Sequence, residues 1–307
     1  MDYGKIIRDS FAIAWSHKTL WILGIFAGYG GGFNTSFDKS DIEALGGTPM
    51  GGAFGGLGES PAEIWTALAP YLIGLTIFGL VFLAMHCIAS PGLVDAVNRI
   101  TRGGKYTLSE SFSTGIDFFW RTLGMLILFA VVTIVSIVVL VVIVIVSWAI
   151  AVPLGVITLL LALPLGFVLF FAALTIYNLG LRAMVARNVS IGDAIAEGYA
   201  LLRTHLGKSI VMFLISIGLG LALGIASLII AAMVMAPIGL FAYGMGLAVW
   251  QAFLVAIILS LPITIPVGGY MGTFHSSTYT LFYFGLVEPQ GPQYAAPQTS
   301  AGYSPTV

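Results

Sequence analysis

The chain has 307 residues, 59% of them hydrophobic and 8% charged, and its mean hydropathy is +1.03. Soluble domains carry about 25% charged residues, so a chain this poor in charge cannot cover a water-facing surface and belongs in lipid. The single cysteine, Cys87, excludes an intramolecular disulfide and any cysteine-built zinc or iron–sulfur site within the chain; the net charge of -1 says nothing about partners, and no nucleic-acid partner is expected.

Residues 4–18 mix apolar and polar side chains at helical spacing, with Ile7, Phe11, Ala14, Trp15 and Lys18 along one stripe. They read as an interfacial helix, and Trp15 and Trp21 bracket the membrane boundary. A first span is expected over about 19–33. The helical segment before it and the lack of a small-residue cleavage site argue for a retained span, not a signal peptide. Gly24, Gly28 and Gly32 share a face that lets another helix approach closely. Residues 34–63 form an acidic, glycine-rich loop, with Asp38, Asp41, Glu43, Glu59 and Glu63 against Lys39 alone. It holds neither glycine-rich phosphate motif and reads as a solvated loop.

Span two covers about 64–89, with His86 and Cys87 near its end and Pro91-Gly92 closing it. Cys87 reads as a packing residue. Residues 107–121 form a second interfacial helix, with Leu108, Phe112, Ile116, Phe119 and Trp120 on one side and Ser109, Glu110, Ser113 and Asp117 on the other. Ser109 is its expected cap. The nearly uncharged stretch that follows is long enough for two spans, 122–147 and 154–181, turning near Trp148 and Pro153. A third interfacial helix is expected over 191–206. Spans five and six follow over 209–235 and 240–267, with a turn at Pro237 and Gly239 and a small-residue face at Gly220 and Gly224. Pro164, Pro262 and Pro266 are expected to kink their spans. Residues 270–286 are aromatic and hydroxyl-rich and read as a fourth interfacial segment. Residues 288–307 are proline-rich and read as a disordered cytoplasmic tail.

Lys5, Arg8 and Lys18 precede span one. Arg99, Arg102, Lys105 and Arg121 lie between spans two and three, and Arg182, Arg187, Arg203 and Lys208 between spans four and five. Eleven of the twelve Lys and Arg therefore fall on one side, which the positive-inside rule makes cytoplasmic, together with both termini. The last eight of these cations are the candidate contacts to anionic headgroups or to a protein partner at that face.

The two elbows share a pattern. Arg99, Glu110, Phe112, Trp120, Leu123 and Gly124 align without gaps with Arg182, Asp193, Ile195, Arg203, Leu206 and Gly207. Asp9-Ser10-Phe11 echoes Glu110-Ser111-Phe112 more faintly. The expected fold is an all-α integral membrane protein of six transmembrane helices over 1–287. They form three hairpins, each preceded by a cytoplasmic amphipathic helix. The arginine and the carboxylate eleven positions on are placed to pair across each bend.

Chemistry-bearing patterns are sparse. His17, His86, His205 and His275 have no metal-ligand spacing, no nucleophile motif occurs, and no ionisable group stands at the middle of a span. No cofactor and no enzymatic activity are expected.

The segments LSESFSTGIDFFWRTLG and IGDAIAEGYALLRTHLGKSI resemble the membrane domain attached to some bacterial glycerophosphodiester phosphodiesterases and its stand-alone prokaryotic relatives. The resemblance implies a fold and a bacterial inner-membrane location, not an activity, because the catalytic domain has no counterpart here. The expected function is a non-enzymatic scaffold, anchoring or lipid-organising component. The alternative is a transporter or permease subunit for an apolar or lipid-like substrate.

Overall fold

A computed structural model describes residues 2–27, 61–246 and 249–287. Within them the chain is all-α, and five helices are long and apolar enough to cross a membrane. Nine helices run in order: α1 (Tyr3–Ser16), α2 (Leu20–Ala27), α3 (Pro61–Thr101), α4 (Leu108–Asp117), α5 (Phe119–Ile150), α6 (Val152–Arg187), α7 (Ile191–Thr204), α8 (Leu206–Gly244) and α9 (Val249–Val287). The remainder of the expected first span, most of the acidic loop and the tail lie outside the described residues.

Each short helix leads into a longer one through a sharp bend. Phe118 alone separates α4 from α5, and His205 alone separates α7 from α8. Between α1 and α2 the break spans His17 to Thr19, and the Trp21 indole N–H donates to the Ala14 carbonyl across it at 2.7 Å. The short helices begin where side chains satisfy orphan backbone N–H groups. Asp2 accepts from Lys5 N, Thr107 from Glu110 N and Ser190 from Asp193 N. Thr107, not the expected Ser109, thus caps α4, because the helix starts one residue before Ser109.

The long helices overrun the expected spans. α3 has 41 residues, about 60 Å at about 1.5 Å per residue, against a hydrocarbon core of about 30 Å. Pro91 does not close it; the helix passes through both Pro70 and Pro91 to Thr101. Likewise Pro164, Pro237, Pro262 and Pro266 all lie inside helices, which membrane helices tolerate when neighbours satisfy the freed carbonyls. The expected turn at Pro237 and Gly239 is therefore displaced to the end of α8, where Gly246 adopts φ +87°. The other turn falls at Ala151, within the expected stretch.

The largest departure concerns 270–286. These residues do not form a separate interfacial segment but continue α9 without a break. They are also among the most deeply packed in the molecule: Tyr283 and Phe282 are nearly inaccessible, and Thr273, Ser277 and Thr280 are fully buried. Thr273, Thr278 and Thr280 donate to the carbonyls of Gly269, Phe274 and Ser276 one turn back. A hydroxyl satisfied inside its own helix can be buried cheaply, and its small size lets neighbours approach.

All of the buried apolar clusters sit at the end of the molecule where the short helices gather. One joins Ile13, Leu20 and Leu23 to Leu93, Val97 and Ile100; another joins Leu179, Ala183 and Met212 to Phe282, Tyr283 and Leu286. The opposite halves of α5, α6 and α8 are lined with exposed Val, Ile, Leu and Phe. The fold is thus a packed base carrying long apolar helices.

Glycines set the packing of the base. A Cβ on Gly115 of α4 would strike the Ile88 carbonyl of α3, and one on Gly92 would meet the Ser111 carbonyl at 2.5 Å. A Cβ on Gly198 of α7 would meet the Ile176 carbonyl of α6 at 2.8 Å, and one on Gly180 the Ala194 carbonyl at 3.0 Å. The two crossings thus use a glycine on each helix in the same reciprocal way. Gly24 meets the backbone of α9 at Gly269 and Thr273, as the expected close-approach face requires; Gly28 and Gly32 lie outside the described residues. Gly220 and Gly224 face open space, so the expected small-residue face there packs on nothing among the described residues.

Candidate functional site

Six of the eight candidate cations stand exposed around the base, and Arg99 is half-buried there. Arg99 is held by Asp95 at 2.9 Å and by Glu110 at 3.1 Å, the pairing across the bend that the spacing suggests. Arg102 lies 5.9 Å from the centre of the Phe284 ring. The Arg121 guanidinium donates to Asn188 Oδ1 at 2.7 Å and stacks on Phe118. Arg187 pairs with Glu197 at 3.3 Å. Lys105, Arg203 and Lys208 are exposed.

Arg182 differs. Only 4% of it is exposed, so it is no surface headgroup contact. Nor does it pair with Asp193 across the second bend: Asp193 instead accepts from the Ser190 hydroxyl at 2.6 Å. The register explains this. Gly92 to Gly180 is eighty-eight positions, while Gly115 to Gly198 is eighty-three. The counterpart of Arg99 at the second crossing is therefore Arg187, which makes the ion pair to α7.

Arg182 opens instead onto a pocket of about 430 Å³ between α3, α5, α6 and α9. One Nη donates to both the carbonyl and the side-chain oxygen of Asn178, each at 2.9 Å. Its guanidinium carbon lies 5.3 Å from the centre of the Tyr279 ring, and His275 packs on the same ring at 5.1 Å. These contacts fix the plane of the guanidinium, which stays charged at any physiological pH. Asn178 is itself oriented by donating to the Leu174 carbonyl at 2.9 Å.

Across the pocket stand His86 and Ser90 of α3. His86 Nδ1 donates to the Phe26 carbonyl at 2.7 Å, which fixes the tautomer and leaves Nε2 an acceptor, with the Ser90 hydroxyl 3.5 Å away. Tyr177, His275 and Ser276 complete the polar floor. The opposite end is mostly apolar: Leu126, Phe129, Ala130, Ile134, Phe170 and Ala173 line it, with Thr133 among them. Ala130, Ile134 and Phe170 are exposed on the long hairpin of α5 and α6. From Phe170 to Arg182 the pocket follows α6 for about 18 Å at about 1.5 Å per residue. It grades from a polar, cationic floor to a hydrocarbon-facing wall.

Two of the four histidines, His86 and His275, thus meet at one pocket although nothing in their spacing joins them. His17 and His205 lie elsewhere. Burial against the Tyr106 ring pushes His17 below its ordinary value of 6.5. Among the described residues no group of three or more His, Cys, Asp or Glu is placed to hold a metal ion. The sequence pattern alone assigns Arg182 to the start of the elbow and does not mark this site. The available signal was Asn178 and Arg182 four residues apart, one helical turn, with aliphatic residues on both sides of the arginine. No family model matches the chain, and neither does a curated protein or a solved structure.

Proposed function

We propose that this chain is a non-enzymatic, lipid-organising component of the bacterial inner membrane. The observation that carries the reading is the pocket graded from Arg182 to the lipid-facing wall at Ile134 and Phe170. Such a cavity suits an amphiphile drawn from the bilayer, with its head at the floor and its chain toward the membrane interior. In the proposed topology α2 continues into a first span and pairs with α3. The chain then crosses six times as three hairpins, with the base and both termini in the cytoplasm. The matching glycine crossings of α3 with α4 and α6 with α7 support a repeated unit of this kind. The exposed cations at the base would sit among anionic headgroups at about 1 kcal/mol each, or would meet a protein partner at that face.

Native mass spectrometry of the protein released from nanodiscs of native lipid tests the reading. Retained lipid with no stable protein partner is expected. A stoichiometric ATPase would instead favour a permease subunit, and a protein that sheds all lipid would refute the lipid-organising role. Topology is tested separately, in a Cys87→Ala background with single cysteines at Ser40 or Lys105. An impermeant reagent on intact cells should label the first and not the second; the opposite pattern would overturn the orientation.

A further inference from the structure

We propose that the pocket selects a neutral amphiphile with a hydroxyl head, as in a fatty alcohol or a diacylglycerol. The hydroxyl bridges His86 and Ser90, and the hydrocarbon chain runs along α5 and α6. The assignment rests on the lipid-organising reading above and specifies its ligand.

Three observations carry it. First, α3 brings an acceptor and a donor to the cavity side by side. His86 Nδ1 is engaged with the carbonyl of Phe26, a residue outside the pocket lining, so Nε2 is the lone-pair nitrogen left to the cavity. Ser90 is only 6% exposed, and its hydroxyl comes no closer than 3.5 Å to either ring nitrogen. That is well beyond the about 2.8 Å of a strong O–H hydrogen bond, so a closer partner can take both groups. Second, a hydroxyl fits this pair and a charged head does not. A hydroxyl gives its proton to Nε2 and accepts from Ser90 through the same oxygen. A carboxylate or phosphodiester has no proton to give to Nε2. An ammonium has no lone pair for Ser90, and the described lining residues include no Asp or Glu to pair with it once it leaves water. Third, the geometry demands a tail. Water or a small alcohol would use only the polar end, yet the cavity continues about 18 Å along α6 to Ile134 and Phe170, which face lipid. Arg182, held by Asn178 and stacked on Tyr279, has no part in the assignment.

The test uses the full-length protein in nanodiscs of phosphatidylcholine doped with hexadecanol, with its methyl ether or with palmitate, and retained amphiphile is counted by native mass spectrometry. Wild type should retain hexadecanol about tenfold better than the ether, which has the same chain but no proton to give. Palmitate should be retained no better than the ether. Ser90→Ala removes the donor alone and should weaken retention of hexadecanol about fivefold; His86→Leu removes the acceptor and should weaken it about tenfold or more. Ala173→Phe keeps both groups and fills the apolar arm, so it too should lose the alcohol. Ser90→Ala and the ether decide the matter if His86→Leu does not fold. Equal retention of alcohol and ether overturns the assignment. So does a preference for palmitate, or undiminished retention by Ser90→Ala or Ala173→Phe. A wild type that holds no lipid of any kind refutes the lipid-organising reading itself. Lipid that remains while alcohol and ether are held alike refutes only the hydroxyl ligand.

Discussion

Adding one methyl group at Gly198 tests how tightly the base is set. In an exposed helix interior Gly→Ala gains about 1 kcal/mol of helix propensity. At Gly198 the new Cβ would lie 2.8 Å from the Ile176 carbonyl oxygen and 3.1 Å from Gly180 N. Both are backbone atoms of α6, and neither can rotate aside. Ordinary contact begins at 3.4 Å, so α7 must move off α6 by about 0.6 Å. Overpacking of this kind costs about 1–3 kcal/mol. Taking the upper half of that range, because backbone is what must move, leaves a net loss of about 1–2 kcal/mol once the propensity gain of about 1 kcal/mol is subtracted. Gly115→Ala, whose Cβ would strike the Ile88 carbonyl, should lose at least as much. Gly220→Ala meets nothing within 4 Å and should gain stability. Equilibrium unfolding in mixed micelles, titrated with denaturing detergent, gives the three values side by side. A Gly198→Ala protein as stable as Gly220→Ala would refute the argument that the glycine crossing holds the base together.

Two further outcomes follow from the base. His17 is pushed below its ordinary 6.5 by burial, so the folded chain resists a proton that the unfolded chain accepts. Its contribution to stability is full above about pH 6.5 and is lost as pH falls below that value. Asp9, raised by burial against the pull of Lys5 and Arg8, acts in the opposite sense nearer the carboxylate range and stabilises as pH falls through its folded value. A melting-temperature profile should therefore decline below about pH 6.5 in wild type and decline less steeply in His17→Gln; an unchanged slope would refute the role of His17. Separately, Tyr283 donates to Glu197 at 2.8 Å, and Glu197 also holds Arg187, so one carboxylate ties α9 to α7 and α6. Tyr283→Phe should cost about 1.5–3 kcal/mol in the same unfolding assay, the range for a hydrogen bond to a charged group, and no loss would mean that the tie is not structural.

The membrane class of the fold was legible because hydropathy and length answer that question directly. The bends after α4 and α7 were legible too, through charge and helical spacing. A soluble chain packs its most apolar stretches most deeply. In lipid the reverse holds, since hydrocarbon solvates an aliphatic face as well as another helix does. The most apolar of the five long helices, Phe119–Ile150, has none of its most apolar stretch buried, whereas Leu254–Val287, the least apolar, has 17%. Residues 270–286 looked interfacial because glycine, serine and threonine dilute them, and those same residues let α1 and α2 pack on α9. Pro91 misled in a similar way, because a proline that would end a soluble helix only interrupts one hydrogen bond in α3.

The two elbows show how a short connection can turn a surface cation into a pocket residue. Between α3 and α4 the chain spends residues 102–107, and Arg99 reaches Glu110 over the outside of the bend. Between α6 and α7 it spends only 188–190, with Asn188 in the left-handed conformation at φ 53°. The shorter link brings Arg187 to the edge of the base, where it pairs with Glu197 and takes the outer position. Arg182 then lies more than one turn deeper on α6, on the side facing α9, where Tyr279 and Asn178 receive it. A gapless alignment hides this, because it equates Arg99 with the wrong arginine. A pair of elbows that differed only by sequence drift would keep both cations at the surface. The shortened link removes one of them from it, and the pocket between α3, α5, α6 and α9 is where that cation goes.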